Sequence, residues 1–110
     1  ACKAKGKTVL QNCAIEPEIK DLILFLKKLG AEIKINDRKI TVFESKIKKS
    51  KINHEVIFDR IEFGTYMIAC ALMAKNKIII DKIDPKIVRT EINILKKIGV
   101  KIAKKKIGPR

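Results

Sequence analysis

At 110 residues the chain has room for one ordinary domain or two very small ones, and its core must be largely aliphatic, because 5% of its residues are aromatic and 21 are isoleucine. The formal net charge of +14 is compatible with attraction to nucleic acid or to an anionic membrane. Few aromatic side chains are present to stack on bases, however, and there is no zinc-finger or RNA-binding signature. We therefore favour a solvated basic surface and keep a small basic nucleic-acid-binding α+β module as the alternative.

The cysteine and histidine content argues against a structural metal site. Cys2, Cys13 and Cys70 are far apart and contain no C-x-x-C pair, and His54 is the single histidine. Cys70 lies in an apolar stretch and is interpreted as a small core residue, while one disulfide among the three cysteines stays open. His54 is interpreted as a surface residue near a strand. Because no signal peptide, long apolar span or cofactor motif is visible, we expect a cytoplasmic protein without membrane contact, metal or cofactor.

The first elements are a short strand and a well-defined helix. Residues 1–4 resemble the last turn of a helix, and the β-branched stretch 8–11 predicts a strand. Pro17 opens a helix with acids in its first turn, lysines in its last turn and apolar residues at helical spacing. Gly30 is the residue expected just beyond the end of that helix.

A hairpin and a connecting region follow. Residues 31–35 and 39–43 flank an Asn-Asp turn and predict a β-hairpin with one buried face. The polar, lysine-rich residues 45–50 predict a link. Residues 54–58 predict a short strand that leads into the next helix.

The stretch 58–73, FDRIEFGTYMIACALM, predicts a central helix. Asp59 can cap its start, and Glu62 stands three residues later, as in a capping box. Since the segment is apolar on most of its circumference, we expect it to be a buried, central packing helix. Arg60 faces an unfavourable helix dipole in the first turn, so its guanidinium must gain from a carboxylate or a phosphate elsewhere.

The remainder of the chain again predicts strand, helix and strand. Residues 77–81 predict a strand, and the pair Asp84-Pro85 opens an amphipathic helix that Gly99 ends. Residues 100–103 predict another strand, and residues 104–107 are expected to turn and return.

The two halves repeat with a shift of 69 residues, which places Gly30 against Gly99 and Leu26 against Leu95. In both halves a strand, an acid-Pro helix start, a Leu-Lys-Lys-apolar-Gly helix end and a further strand follow in the same order. Repeats this long indicate a duplicated supersecondary unit. We therefore predict an α+β fold of duplicated small helix-on-sheet units, with one unit at residues 1–57 and the other at residues 58–110.

No group of residues in the sequence forms a recognisable catalytic motif. Four acids, Glu16, Glu18, Asp59 and Glu62, lie at predicted helix starts. Capping and the helix dipole are sufficient to explain acids at these positions.

Two strings, NCAIEPEIKDLILFLKKLGAEI and FDRIEFGTYMIACALM, resemble segments of the UDP-N-acetylglucosamine enolpyruvyl transferases, through the motifs EPEI and DRIE-x-GT. The resemblance implies a two-domain inverse α/β prism built from copies of a small α+β unit. On this basis residues 1–57 are the last unit of the first domain, on the UDP-sugar side. Residues 58–110 are then the first unit of the second domain, truncated at its C-terminal end.

The resemblance also implies a reaction, the transfer of the enolpyruvyl group of phosphoenolpyruvate to the 3-hydroxyl of UDP-N-acetylglucosamine. This transfer opens peptidoglycan synthesis and so bears on cell-wall growth, cell shape and cell division. The family's Lys-Asn pair, its cysteine-bearing loop and its arginine clamps lie outside this span. The resemblance therefore implies that the chain carries no catalytic residue, is inactive alone and needs the remainder of the enzyme chain as its partner.

For the substrate cleft, the resemblance implies a position nearby for Glu16, Glu18, Asp59 and Arg60. The sequence departs from the family pattern in the loop after Val42, which lacks the family's glycines, and at two further, neighbouring places. Phe58 stands where the family usually has proline, and residue 63 is phenylalanine instead of a small residue.

Overall fold

Two units, Ala1–Ile57 and Phe58–Arg110, make up the chain in the computed structural model. The structure describes residues 1–48, 51–73, 75 and 77–105. In chain order the elements of these residues are β1 (Lys7–Leu10), α1 (Pro17–Lys28), β2 (Glu32–Asn36), β3 (Lys39–Phe43), α2 (Arg60–Leu72) and α3 (Arg89–Lys97). These three strands and three helices confirm the α+β class predicted from the sequence.

The first unit is one helix on a three-stranded antiparallel sheet with strand order β1-β3-β2. In the register, Thr8 and Ile33 both face Val42 on the central strand β3. The predicted hairpin is confirmed, and its turn places Asp37 at φ 53°, a left-handed conformation that aspartate tolerates better than most residues. The core of the unit lies between helix and sheet and contains Ile23, Ala31, Ile33, Ile40 and Val42.

Helix α1 ends as its sequence predicts. Gly30 has φ 102°, a conformation that favours glycine, and its amide donates to the carbonyl of Lys27 at 3.0 Å. The amide of Ala31 donates to the carbonyl of Leu26, also at 3.0 Å. These two bonds form a Schellman motif, which satisfies carbonyls that the helix leaves open. The predicted helical turn at residues 1–4 is a simple turn, closed by a bond from the amide of Ala4 to the carbonyl of Ala1.

The second unit packs α2 against α3. Its core contains Phe63, Met67, Val88, Ile92 and Leu95. The predicted helix start at Asp84-Pro85 is wrong, because α3 begins at Arg89. Asp84 instead closes a tight turn, in which its carbonyl accepts from the amide of Ile87 at 3.1 Å. Val88, with φ −111° and ψ 25°, separates this turn from the helix, and it is only 1% exposed.

Three of the predicted strands are absent from the described residues. Residues 54–58, 77–81 and 100–103 are extended or irregular and pair with no described strand. Their β-branched composition favours extended backbone, but a strand also needs a neighbour to complete its hydrogen bonds. Ile79, for example, is 76% exposed. The predicted return at residues 104–107 lies partly outside the described residues.

The predicted burial of α2 is met on one side only within this chain. Phe63 and Met67 are buried, but Ile61, Tyr66 and Leu72 are exposed, Leu72 at 81%. In the second unit, α3 and the adjacent segments pack against one side of α2. No helix in the described part of the chain is long and apolar enough to cross a bilayer.

All three cysteines are free, and a Cys2–Cys13 disulfide is excluded by the sheet. The carbonyl of Cys2 accepts from the amide of Ser45, whereas the amide of Cys13 donates to the carbonyl of Arg38. Ser45 and Arg38 flank β3 at opposite ends, so the two cysteines are separated by about 20 Å at the usual rise of a strand. A disulfide requires α-carbons within about 7 Å.

Candidate functional site

The first pair of candidate residues, Glu16 and Glu18, stands at the start of α1. The loop that leads there is fixed by two bonds between Cys13 and Arg38. The Cys13 amide donates to the Arg38 carbonyl at 2.8 Å, and Arg38 Nε donates to the Cys13 carbonyl at 3.1 Å. Arg38 thus ties the hairpin turn to the loop before α1, a contact for which the sequence gives no local signal.

Glu16 occupies the N-cap position, but its side chain makes no capping bond. The first turn is closed by its backbone carbonyl, which accepts from the amide of Ile19 at 2.9 Å. Pro17 lacks an amide proton, which removes one of the donors that a cap would otherwise satisfy. The capping interpretation is therefore wrong for Glu16. Its carboxylate and that of Glu18 are exposed at the positive end of the α1 dipole.

The second pair, Asp59 and Arg60, stands at the start of α2. Asp59 Oδ1 accepts from the amides of Ile61 at 2.9 Å and Glu62 at 3.0 Å, so the predicted N-cap is confirmed. The return bond from the Glu62 side chain stays a prediction. Arg60 is the first residue of α2 and is half-buried.

Phe58 and Phe63 pack against each other beside this cap. Their ring centroids are 6.1 Å apart and the rings are inclined at 81°, an edge-to-face arrangement. In helix terms they occupy N′ and N4, the positions of a hydrophobic staple. The contact fixes the direction from which the chain enters α2, and each phenylalanine supplies the apolar partner that the other needs.

The four candidate residues therefore form two pairs, each at one helix start. Glu16 and Glu18 belong to the first unit, and Asp59 and Arg60 to the second. The Asp59 carboxylate caps α2, whereas the Glu16 carboxylate makes no capping bond to α1.

The predicted surface position of His54 is wrong. Its side chain is 9% exposed, and Nε2 lies 3.1 Å from Asp21 Oδ1. Sequence reasoning missed Asp21 entirely, because the two residues are 33 positions apart. Helical spacing does place Asp21 away from the apolar face of α1, but it does not indicate a partner.

The second unit also contains a cleft of about 770 Å³ that the sequence did not indicate. Its floor is apolar and includes Phe63, Met67 and Ile92. Basic residues line it as well, namely Lys77, Lys82, Lys86, Lys101, Lys104 and Lys105. The apolar floor of the cleft is suited to contact apolar side chains of another polypeptide segment. Among the residues that the structure describes, no three His, Cys, Asp or Glu side chains are grouped to hold a metal ion.

Comparison with known proteins identifies the family. The model of the EPSP synthase (3-phosphoshikimate 1-carboxyvinyltransferase) family matches residues 1–108. A UDP-N-acetylglucosamine 1-carboxyvinyltransferase from Pelagibacter ubique (strain HTCC1062) is 54% identical over 106 residues, which are 96% of this chain and 25% of the relative.

Two further relatives are also named as UDP-N-acetylglucosamine carboxyvinyltransferases. The protein of the same name from Wolbachia sp. subsp. Brugia malayi (strain TRS) is 43% identical over 93% of this chain and 24% of its own length. UDP-N-acetylglucosamine 1-carboxyvinyltransferase 2 from Geobacillus kaustophilus (strain HTA426) is 37% identical over the same shares. The chain spans about a quarter of the length of these relatives. These matches confirm the resemblance seen in the sequence motifs, and the chain belongs to the EPSP synthase family of carboxyvinyltransferases.

Proposed function

We propose that the chain is part of an enolpyruvyl transferase that acts on phosphoenolpyruvate and UDP-N-acetylglucosamine. The sugar 3-oxygen forms a bond to C2 of the enolpyruvyl group, the bond from C2 to the phosphate oxygen breaks, and inorganic phosphate is released with the proton of the sugar hydroxyl. The observation that carries the proposal is the 54% identity, over 96% of the chain, to a protein named for carboxyvinyl transfer to this sugar nucleotide. The product would enter peptidoglycan synthesis in the cytoplasm.

The proposed place of the chain in that enzyme is the crossing between two domains. Residues 1–57 form the last unit of the first domain, and residues 58–110 form the first unit of the second, within an inverse α/β prism. The division of the chain between Ile57 and Phe58 supports this assignment. So does the repeated Schellman end, with Gly30 at φ 102° and Gly99 at φ 101°.

The proposed substrate-cleft residues are Glu16, Glu18, Asp59 and Arg60. Glu16 is exposed and makes no capping bond, so capping does not account for its carboxylate. Arg60 places a guanidinium in the first turn of α2, and a guanidinium is suited to bind a phosphate or a carboxylate. Asp59 combines the proposed cleft position with its observed structural role as a cap.

The proposed partner is the remainder of the enzyme chain. Exposed apolar residues on α2, Ile61, Tyr66, Ile68 and Leu72, would be covered by it, as would the apolar floor of the cleft. The general acid, the general base and the cations that hold the transferred phosphate would also come from that remainder. The family match favours this function over the nucleic-acid-binding module that the charge suggested.

The experiment is a phosphate-release assay with both substrates. We expect no activity from this chain alone, none from the remaining polypeptide of the enzyme alone, and activity when the two are combined. Activity from this chain alone would contradict the claim that the reactive groups lie elsewhere. A stable complex of the two polypeptides without activity would contradict the assignment to the transferase.

Arginine variants supply a matched control in the combined assay. Arg60 and Arg89 are the first residues of α2 and α3. We expect Arg60→Met to lower kcat/KM by roughly tenfold or more, the loss that follows removal of one charge-assisted contact to substrate. Arg89→Met should leave kcat/KM nearly unchanged.

A further inference from the structure

Residues 53–57, which we call the connecting segment, lie along one side of α1 as the chain leaves the first unit. Three α1 side chains hold this segment, Asp21, Phe25 and Lys28, spaced at i, i+4 and i+7. This side of the helix is opposite the one formed by Ile19, Ile23 and Leu26, which packs into the core. Helix α1 therefore uses two faces, one for the sheet and one for the connecting segment.

The backbone of the connecting segment is held at both ends by side chains of α1. Asp21 Oδ2 accepts from the amide of Ile57 at 3.3 Å, and Lys28 Nζ donates to the carbonyl of Asn53 at 2.9 Å. A neighbouring strand would have supplied such partners in a sheet. The charged side chains of α1 supply them here, so the Ile57 amide and the Asn53 carbonyl have hydrogen-bond partners without belonging to a strand.

The other oxygen of Asp21 binds His54. Asp21 Oδ1 lies 3.1 Å from His54 Nε2, and an ionised carboxylate can only accept, so Nε2 carries the proton. The imidazole is 9% exposed and packs its ring edge to face with Phe25, with centroids 5.4 Å apart. Its Nδ1 is buried and has no hydrogen-bond partner among the described residues. Burying this nitrogen is unfavourable, and the bond to Asp21 offsets the cost.

We infer that Asp21 and His54 form a latch that fixes the connecting segment on α1. One carboxylate joins an imidazole and a backbone amide three residues apart, so the segment cannot lift from the helix without breaking both bonds. The latch sets the point at which the chain leaves the first unit. This inference concerns the conformation of the 110-residue chain and is independent of the proposed transfer reaction.

The test is the hydrogen-exchange rate of the Ile57 amide, measured by NMR on the 110-residue chain. Asp21→Ala should raise this rate by about tenfold or more while the amides of β3 keep their protection, because local opening is separate from global unfolding. Glu55→Gln is the matched control, since it removes an exposed carboxylate from the same segment, and it should change the rate by less than about twofold. An unchanged Ile57 rate in Asp21→Ala, with β3 protected, would overturn the inference.

If Asp21→Ala fails to fold, two further measurements test whether Asp21 and His54 hold the connecting segment on α1. His54→Phe keeps a ring beside Phe25 but removes both nitrogens, and it too should speed exchange at Ile57. In the unmodified chain, the proton–nitrogen couplings of the imidazole should place a proton on Nε2. A neutral ring protonated on Nδ1 alone, or unchanged Ile57 exchange in His54→Phe, would contradict the latch.

Discussion

Gly30 and Gly99 hold the same position at the ends of two helices 69 residues apart, with φ of 102° and 101°. The same backbone bonds surround them. Each glycine amide donates three residues back, and the next amide donates five residues back at 3.0 Å, from Ala31 to Leu26 and from Val100 to Leu95. The buried positions repeat as well, since Ile23 in one core corresponds to Ile92 in the other. The repeat read from the sequence thus has a structural counterpart in the helix and its C-terminal end.

The two glycines should nevertheless differ in their tolerance of a side chain. Both Gly→Ala changes meet the same unfavourable φ, which costs about 1–2 kcal/mol. A Cβ at Gly30 would in addition lie 3.0 Å from the backbone oxygen of Lys46, whereas a Cβ at Gly99 meets nothing within 4 Å. We therefore expect Gly30→Ala to be the more destabilising change when unfolding in urea is followed by amide signals of α1 and α3. Equal losses, or a larger loss at Gly99, would show that the close approach to Lys46 does not matter.

The edge-to-face contact between Phe58 and Phe63 should be energetically coupled. Replacing each ring by leucine keeps apolar volume, so the double-mutant cycle isolates the ring contact, with an expected coupling of about 0.5–1.5 kcal/mol. The cycle is measured from the unfolding free energy of the second unit. A cycle between Phe58 and the exposed Tyr66 is the control and should give no coupling. A coupling energy of zero between Phe58 and Phe63 would show that the two rings lie close together without stabilising each other.

The acids at the two N-cap positions, Asp59 and Glu16, should respond differently to alanine. Asp59→Ala removes the acceptor for two amides and should destabilise α2 by about 1 kcal/mol, and Asp59→Ser should recover much of that loss. Glu16→Ala removes no capping bond and should change stability by less than about 0.5 kcal/mol. Helix-resolved amide exchange measures both. A large loss at Glu16 would mean that its carboxylate stabilises α1 after all.

Neighbouring positions on α1 should separate core from surface. Ile23 is 6% exposed and Leu24 is 56% exposed. Ile23→Ala should cost about 2–5 kcal/mol through lost burial and the cavity it leaves. Leu24→Ala should cost less than about 1 kcal/mol. Urea unfolding of the first unit provides the comparison, and similar losses at the two sites would contradict the observed packing of α1.

Elements with local signals were predictable from the sequence. The proline start and glycine end of α1, the hairpin and the Asp59 cap all depend on residues within a few positions of one another, although the hairpin loop is Asp37-Arg38 and the predicted Asn36-Asp37 pair is displaced by one residue. The predicted strands that the structure lacks among its described residues depend instead on a neighbouring strand for their hydrogen bonds. Residues 77–81 have strand composition, but strand formation also requires a neighbouring strand, which composition cannot specify.

The candidate site shows the same division. The residue pair at each helix start is singled out by the family resemblance of local motifs, whereas the contact between Asp21 and His54, which lies outside that site, spans 33 positions and arises only from tertiary packing. Helix α2 is a related case. Its composition predicts burial of the whole helix, and the structure buries one side, with Leu72 among the exposed residues.

A chimera tests the assignment to the transferase most directly. In the Pelagibacter ubique relative, the 106 matched residues are replaced by those of this chain, and phosphate release is measured with phosphoenolpyruvate and UDP-N-acetylglucosamine. We predict release that requires both substrates and that falls on Arg60→Met but not on Arg89→Met. A chimera that folds as the parent relative does, by thermal unfolding and oligomeric state, yet releases no phosphate would contradict the account.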